Sequence, residues 1–166
     1  MSTNASISVE EYLHTSFDNP DPEYRDGELI ERAPADASHG GAHARIGAFF
    51  VSRRRELRLF PCASVRLKLS ENLYLVPDIS VFWPDEPAFA FPDHPPLVVI
   101  EILSNDDRAT AVRAKLDEYR AWGVPHVWQV DPYLRKLYTC DAGLAEVPTL
   151  PIPELDLELR PEHVFE

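Results

Sequence analysis

The chain has 166 residues, 45% of them hydrophobic and 27% charged, the composition of one soluble globular domain spanning 1–166 and long enough to bury a core. No apolar run approaches the roughly 20 residues of a membrane helix, and Cys62 and Cys140 form no CxxC pair, which removes a cysteine-based metal site. The formal net charge of −12, from 28 acidic against 16 basic residues, opposes broad contact with a phosphate backbone.

Contact with nucleic acid would therefore need a local basic patch. The candidate is Arg53, Arg54, Arg55 and Arg58, joined by Arg66 and Lys68; the alternative is that these residues solvate a helix face. The N-terminus, Met1-Ser-Thr-Asn-Ala-Ser6, lacks a basic region followed by an apolar core, so a cytoplasmic protein with reduced cysteines is expected.

In chain order, Ser8-Val-Glu-Glu11 reads as a capping box that opens a short helix to about Thr15, and Asn19-Pro-Asp-Pro22 breaks it. Glu23-Tyr24-Arg25, the pair Asp26-Gly27 and Glu28-Leu29-Ile30-Glu31 predict a tight hairpin. After a loop, Ser38 is the expected N-cap of a helix from His39 to about Leu59, with Ala42, Ile46, Phe49, Phe50 and Leu57 as its apolar stripe. Alternation from Ala63 to Leu69 predicts a half-buried strand with Arg66 and Lys68 facing out. Leu73 to Phe82 reads as the next strand, with Pro77 at an edge or bulge.

Trp83 to Pro96 is a proline-rich loop carrying the exposed-looking Phe89-Ala-Phe91 segment. Leu97 to Leu103 is apolar apart from Glu101, as in a strand covered on both faces. Arg108 to Trp122 predicts a helix closed by Gly123 and Pro125. Strands follow at His126–Asp131, Arg135–Cys140 and near Leu144–Val147, and the tail is expected to pair at an edge or wrap the surface. This order describes a mixed α/β domain with a central sheet.

Asp78 and Glu101 lie on neighbouring apolar strands. A hard divalent cation such as Mg²⁺ takes one or two carboxylates and fills its remaining positions with water and phosphate; the carbonyl of Ile102 would add a further oxygen. A carboxylate inside an apolar strand is costly unless paired or metal-bound, so Glu101 is either a ligand or half of an ion pair with an Arg or Lys. Pro77-Asp78 resembles a turn, but its place between Val76 and Ile79 argues otherwise. Val112, Lys115, Leu116, Tyr119 and Trp122 share one helix face, so Lys115 either snorkels along it or points at the carboxylates. His39 opens a helix, where anions gather, and is read as contacting a phosphate, orienting water or ligating metal, against the plainer reading of a capping histidine. Glu28 is a further candidate for an orienting role.

At these residues the sequence resembles the Uma-two-type restriction endonuclease family, a branch of the PD-(D/E)xK nuclease superfamily. The likeness rests on Glu23-Tyr-Arg-Asp-Gly-Glu-Leu29, Ser38-His39, Pro77-Asp78, Pro96-Leu-Val-Val-Ile-Glu-Ile-Leu-Ser104, Lys115 to Tyr119, and Gly123-Val-Pro-His-Val-Trp-Gln-Val-Asp-Pro132. It implies a restriction-endonuclease-like α/β fold in which a central mixed sheet is flanked by helices. It also implies Mg²⁺ or Mn²⁺ held by Asp78 and Glu101. The superfamily's lysine usually stands two residues after the second carboxylate; Leu103 occupies that place here, and Lys115 matches the lysine of the following helix. Where the family carries an aspartate before that lysine and a proline after the Glu-x-x-Ser run, this chain has Ala111 and Asn105, with Asp106 and Asp107 as the nearest substitutes.

The function expected is metal-dependent hydrolysis of DNA phosphodiesters, with Lys115 stabilising charge on the phosphate. Two rivals are a nuclease-fold binding or scaffold protein without the chemistry, and a hydrolase of a small phosphodiester. A homodimer is expected only from the apolar loop and from the geometry of cutting two strands.

Overall fold

A computed structural model describes residues 6–166, so most of the N-terminal stretch read for a leader lies outside the described residues. The capping box is formed as predicted: Ser8 accepts from the Glu11 amide at 3.1 Å, and Glu11 accepts from the Ser8 amide at 2.8 Å, opening α1 (Val9–His14). The Asp-Gly hairpin is also formed, joining β1 (Glu23–Arg25) to β2 (Glu28–Ile30). Its two turn residues have φ of +48° and +89°, the left-handed pair that a two-residue hairpin turn requires. β1 pairs in turn with β5 (Leu73–Leu75), and β5 with β4 (Leu67–Ser70), giving a four-stranded antiparallel sheet in the order β2-β1-β5-β4.

The larger sheet has six strands in the order β10-β9-β8-β7-β6-β3. They are β3 (Phe60–Ala63), β6 (Ile79–Phe82), β7 (Val98–Ile102), β8 (His126–Asp131), β9 (Lys136–Cys140) and β10 (Leu144–Val147). β7 and β8 run parallel, joined by α3 (Ala109–Trp122), and the other neighbours are antiparallel. α2 (Ala37–Leu57) covers the opposite face. The alternation of β7 divides the core between these two helices. Val98, Ile100 and Ile102 pack with Ala42, Ile46 and Phe50 of α2, while Val99 packs with Leu116 and Tyr119 of α3. By the same period of two, Glu101 shares the α3 face. The tail forms a small hairpin of its own, β11 (Leu150–Ile152) with β12 (Leu157–Leu159), and α4 (Pro161–Phe165) follows it, with Val164 buried in the α2-side core.

Three boundaries differ from the sequence reading, each for a local reason. The N-cap of α2 is Asp36 rather than Ser38: its carboxylate accepts from the His39 amide at 2.9 Å, so the helix starts two residues earlier than expected. The predicted strand Ala63–Leu69 is divided, because Ser64 takes φ +53° and turns the chain out of one sheet before β4 begins in the other. The single strand expected over Leu73–Phe82 is likewise two strands in two sheets. Pro77 and Asp78 are the crossing point between them, where a missing amide hydrogen costs no ladder bond.

Arg66 departs furthest from expectation. Alternation places it on a solvent face, yet it is 7% exposed. Its guanidinium donates to Asp21, to the Tyr12 carbonyl and to the Thr15 carbonyl, and lies 4.6 Å over the Tyr12 ring. The outer face of the small sheet is covered by α1 and a cluster of Tyr12, Tyr24 and Tyr74, so no water-facing side remains at this point.

Candidate active site

Where the two sheets meet, the N-terminus of α2, the start of α3 and the hairpin enclose a cleft of about 300 Å³. Glu23, Arg32, His39, Asp78, Glu101 and Lys115 all line it. The sequence reading named four of these, and the structure brings all four into one cleft.

Lys115 sits between two carboxylates. Its ammonium is 2.6 Å from Glu101 Oε1 and 2.5 Å from Glu23 Oε1, and it donates to the Val76 carbonyl at 3.2 Å. The Val76 amide donates to the same Glu23 oxygen at 2.9 Å, so the backbone of one residue in the crossing segment holds both partners. Tyr119, one turn after Lys115 on α3, donates its hydroxyl to Glu101 Oε1 at 3.0 Å. Burial would lower Lys115, but the charges of Glu101 and Glu23 outweigh it and hold the ammonium above its ordinary range. Burial, aided by the nearby Asp78 and Glu23 charges, pushes Glu101 up to about 7 against the pull of Lys115. One ammonium cannot fully neutralise two carboxylates. Burial and the adjacent carboxylates also hold the Tyr119 phenol well above its ordinary value, which keeps it a donor.

Asp78 occupies the second half of the cleft. Oδ1 faces Arg32 Nη2 at 3.0 Å and His39 Nε2 at 3.3 Å, and Oδ2 accepts from the Ile102 amide at 2.7 Å. Burial alone would raise this carboxyl; His39, Arg32 and the Ile102 amide together hold it below its ordinary value. The same contact acts in reverse on His39, where burial would lower the imidazole but the Asp78 carboxylate raises it. The anion at the start of α2 is the chain's own Asp36, which also accepts from Asn105 and the Tyr133 hydroxyl through its second oxygen.

No group of three or more His, Cys, Asp or Glu side chains able to hold a metal is assembled among the described residues. A hard cation such as Mg²⁺ needs fewer, since water and phosphate complete its shell. Among the described residues Glu101, which lines the cleft, makes its polar contacts through Oε1, and Oε2 is left to ligate a cation. The donor set of Asp78 and Glu101 therefore suits an oxygen-seeking divalent cation, provided Arg32 releases Asp78. Ile102 also lines the cleft.

Other expectations fall outside the cleft. Glu28 is exposed on β2 and does not line it. Asp107 does, but accepts from the Ser104 amide at 2.7 Å; Ala111 lines the wall, and Asp106 does not. The six basic residues do not form one face. Arg66 is buried, Lys68 pairs with Glu71, Arg58 pairs with Asp85, and Arg53 packs on the Phe49 ring. Arg54 stands fifteen positions along α2 from His39, roughly 20 Å from the cleft at 1.5 Å per residue.

Glu23 and Arg32, which line the cleft, and Tyr119, buried behind Glu101, are the residues whose roles the sequence reading missed. Glu23 was legible in principle, as a carboxylate beside a buried Tyr24 in a three-residue strand. Arg32 carries no such signal, because it lies in an irregular segment.

Comparison with curated proteins returns no match. A crystal structure described as "a putative nuclease belonging to DUF820", from Anabaena variabilis ATCC 29413, superposes with a TM-score of 0.79, covers 96% of this chain and 97% of its own, and is 23% identical. That likeness shows the fold, a mixed α/β architecture with a central mixed sheet. The Uma2 family model, described as "Putative restriction endonuclease", matches residues 9–166, and the chain belongs to that family.

Proposed function

We propose that the protein is a Mg²⁺- or Mn²⁺-dependent endonuclease that hydrolyses DNA phosphodiesters. The observation that carries this reading is the meeting of Glu101 and Lys115 at 2.6 Å on the wall of the cleft that Asp78 also lines. Asp78 and Glu101, with the carbonyl of Ile102, are the groups that would hold the cation. When bound, it supplies a water of lowered pKa and polarises a phosphoryl oxygen. Lys115, fixed by Glu23 and the Val76 carbonyl, offers its ammonium to the charge that builds on the phosphate. His39 orients Asp78 through its Nε2 contact. Tyr119 orients Glu101 through the hydroxyl it donates to Oε1.

The test is cleavage of plasmid DNA by purified protein with Mg²⁺ or Mn²⁺. Asp78→Asn and Glu101→Gln, each checked for folding by circular dichroism, are expected to lower cleavage at least about 100-fold. Cutting that survives either change, or no metal-dependent cutting by the unaltered chain, overturns the reading.

The dispersal of the basic residues favours a second reading, hydrolysis of a small phosphodiester that needs no basic groove. Competition between DNA and a chromogenic phosphodiester for the metal-dependent activity separates the two. Under the second reading a duplex does not inhibit turnover of the small compound.

A further inference from the structure

One buried and one half-buried arginine of this chain are held in opposite ways. The Arg66 guanidinium, its side chain 8% exposed, directs all three nitrogens at fixed acceptors: Nε to Asp21, Nη1 to the Tyr12 carbonyl, Nη2 to the Thr15 carbonyl. Arg32, its side chain 13% exposed, makes a single hydrogen bond among the described residues, from Nη2 to Asp78 Oδ1 at 3.0 Å. It extends from the irregular segment between β2 and α2 and lines the cleft. The oxygen it touches belongs to one of the two carboxylates that suit a cation. Oδ2 is committed to the Ile102 amide, so a cation approaching Asp78 competes for Oδ1 with Arg32, its nearer partner at 3.0 Å, and with His39 Nε2 at 3.3 Å. The remaining N–H groups of that guanidinium form a planar fork that matches two phosphate oxygens.

We propose that Arg32 is a displaceable counter-ion: it holds Asp78 Oδ1 until a divalent cation takes that oxygen, and the freed guanidinium then binds the phosphodiester. This rests on the metal-dependent reading above and adds a consequence to it. Cation and phosphate become mutually cooperative, because each favours the state in which Arg32 has left Asp78, and the coupling is equal in both directions. The same contact keeps the buried Asp78 charge compensated when no cation is present.

The experiment is calorimetric titration of the metal-free full chain with Mn²⁺, alone and in the presence of a phosphorothioate duplex that resists hydrolysis. Arg32→Met is compared with the unaltered chain and with Asp78→Asn, and Arg32→Gln is the second variant should the first not fold. Arg32→Met is expected to bind Mn²⁺ about tenfold more tightly than the unaltered chain without DNA. The duplex is expected to raise Mn²⁺ affinity at least about fivefold in the unaltered chain, and hardly at all in the variant. Mn²⁺ binding that is lost in Asp78→Asn yet unchanged or weaker in Arg32→Met overturns the counter-ion proposal and leaves the metal reading standing. Tighter binding with undiminished coupling to DNA overturns the phosphate role. Absence of Mn²⁺ binding in both the unaltered chain and Arg32→Met overturns the metal reading itself, and the proposal with it.

Discussion

The Arg66 clamp and the cleft around Lys115 are built from the same materials, a buried cation among carboxylates, carbonyls and tyrosines, and they are balanced differently. At Arg66, one carboxylate and two carbonyls meet a guanidinium whose donors they use, and aromatic rings close the remaining side. In the cleft, Glu23, Asp78 and Glu101 face Lys115 and Arg32, one carboxyl is pushed up to about 7, and the Nδ1 atom of His39 is buried without a partner among the described residues. A satisfied polar network makes a part rigid, whereas an incompletely satisfied one marks a place arranged for something other than stability. The difference separates a fastening from a site.

The contrast is most easily broken through the arginines themselves. Arg66→Met is expected to cost about 3–5 kcal/mol in urea denaturation, because it removes three charge-assisted hydrogen bonds at once and strands the buried Tyr12 carbonyl. Arg32→Met is expected to cost less, about 1.5–3 kcal/mol, the scale of one charge-assisted hydrogen bond, because His39 and the Ile102 amide still hold Asp78. Equal losses would make Arg32 a second fastening and remove the distinction.

Next in size is a pH effect. Glu101 has a folded-state pKa near 7, above its ordinary 4.5, so folding favours its protonated form. Its contribution is fully present below about pH 4.5 and is lost as pH rises through 7. In chelator-containing buffer, the stability of the unaltered chain minus that of Glu101→Gln is expected to fall by on the order of 3 kcal/mol across this window. A flat difference would mean that the cleft is as well balanced as the clamp. The smallest effect sharpens the comparison: Tyr119→Phe removes one donor to Glu101 and is expected to cost about 1 kcal/mol, measured the same way.

Local chemistry was readable from the sequence where it decided the outcome locally. The capping box at Ser8, the Asp26-Gly27 hairpin and the Gly123 helix stop, at φ +108°, each depend on neighbouring residues alone. Glu101 and Lys115 could also be found, because a charge interrupting an apolar pattern is conspicuous in either period. The misreadings share a different cause. Alternation assigns a residue to a face without saying what covers that face, so Arg66 was placed in water when α1 and the tyrosines lie over it. A continuous apolar run does not reveal that the chain changes sheets in the middle of it, as at Pro77. Arg32 acquires its role from Asp78, 46 positions away, which no local pattern records.

The backbone of Val76 secures Glu23 through its amide and Lys115 through its carbonyl, while Glu101 and Tyr119 arrive from elsewhere in the chain. The cleft thus draws on segments spread from residue 23 to residue 119, and none of them owns it. During synthesis, the cleft is incomplete until α3 has left the ribosome and docked, so a product that stops before residue 115 lacks its central ammonium.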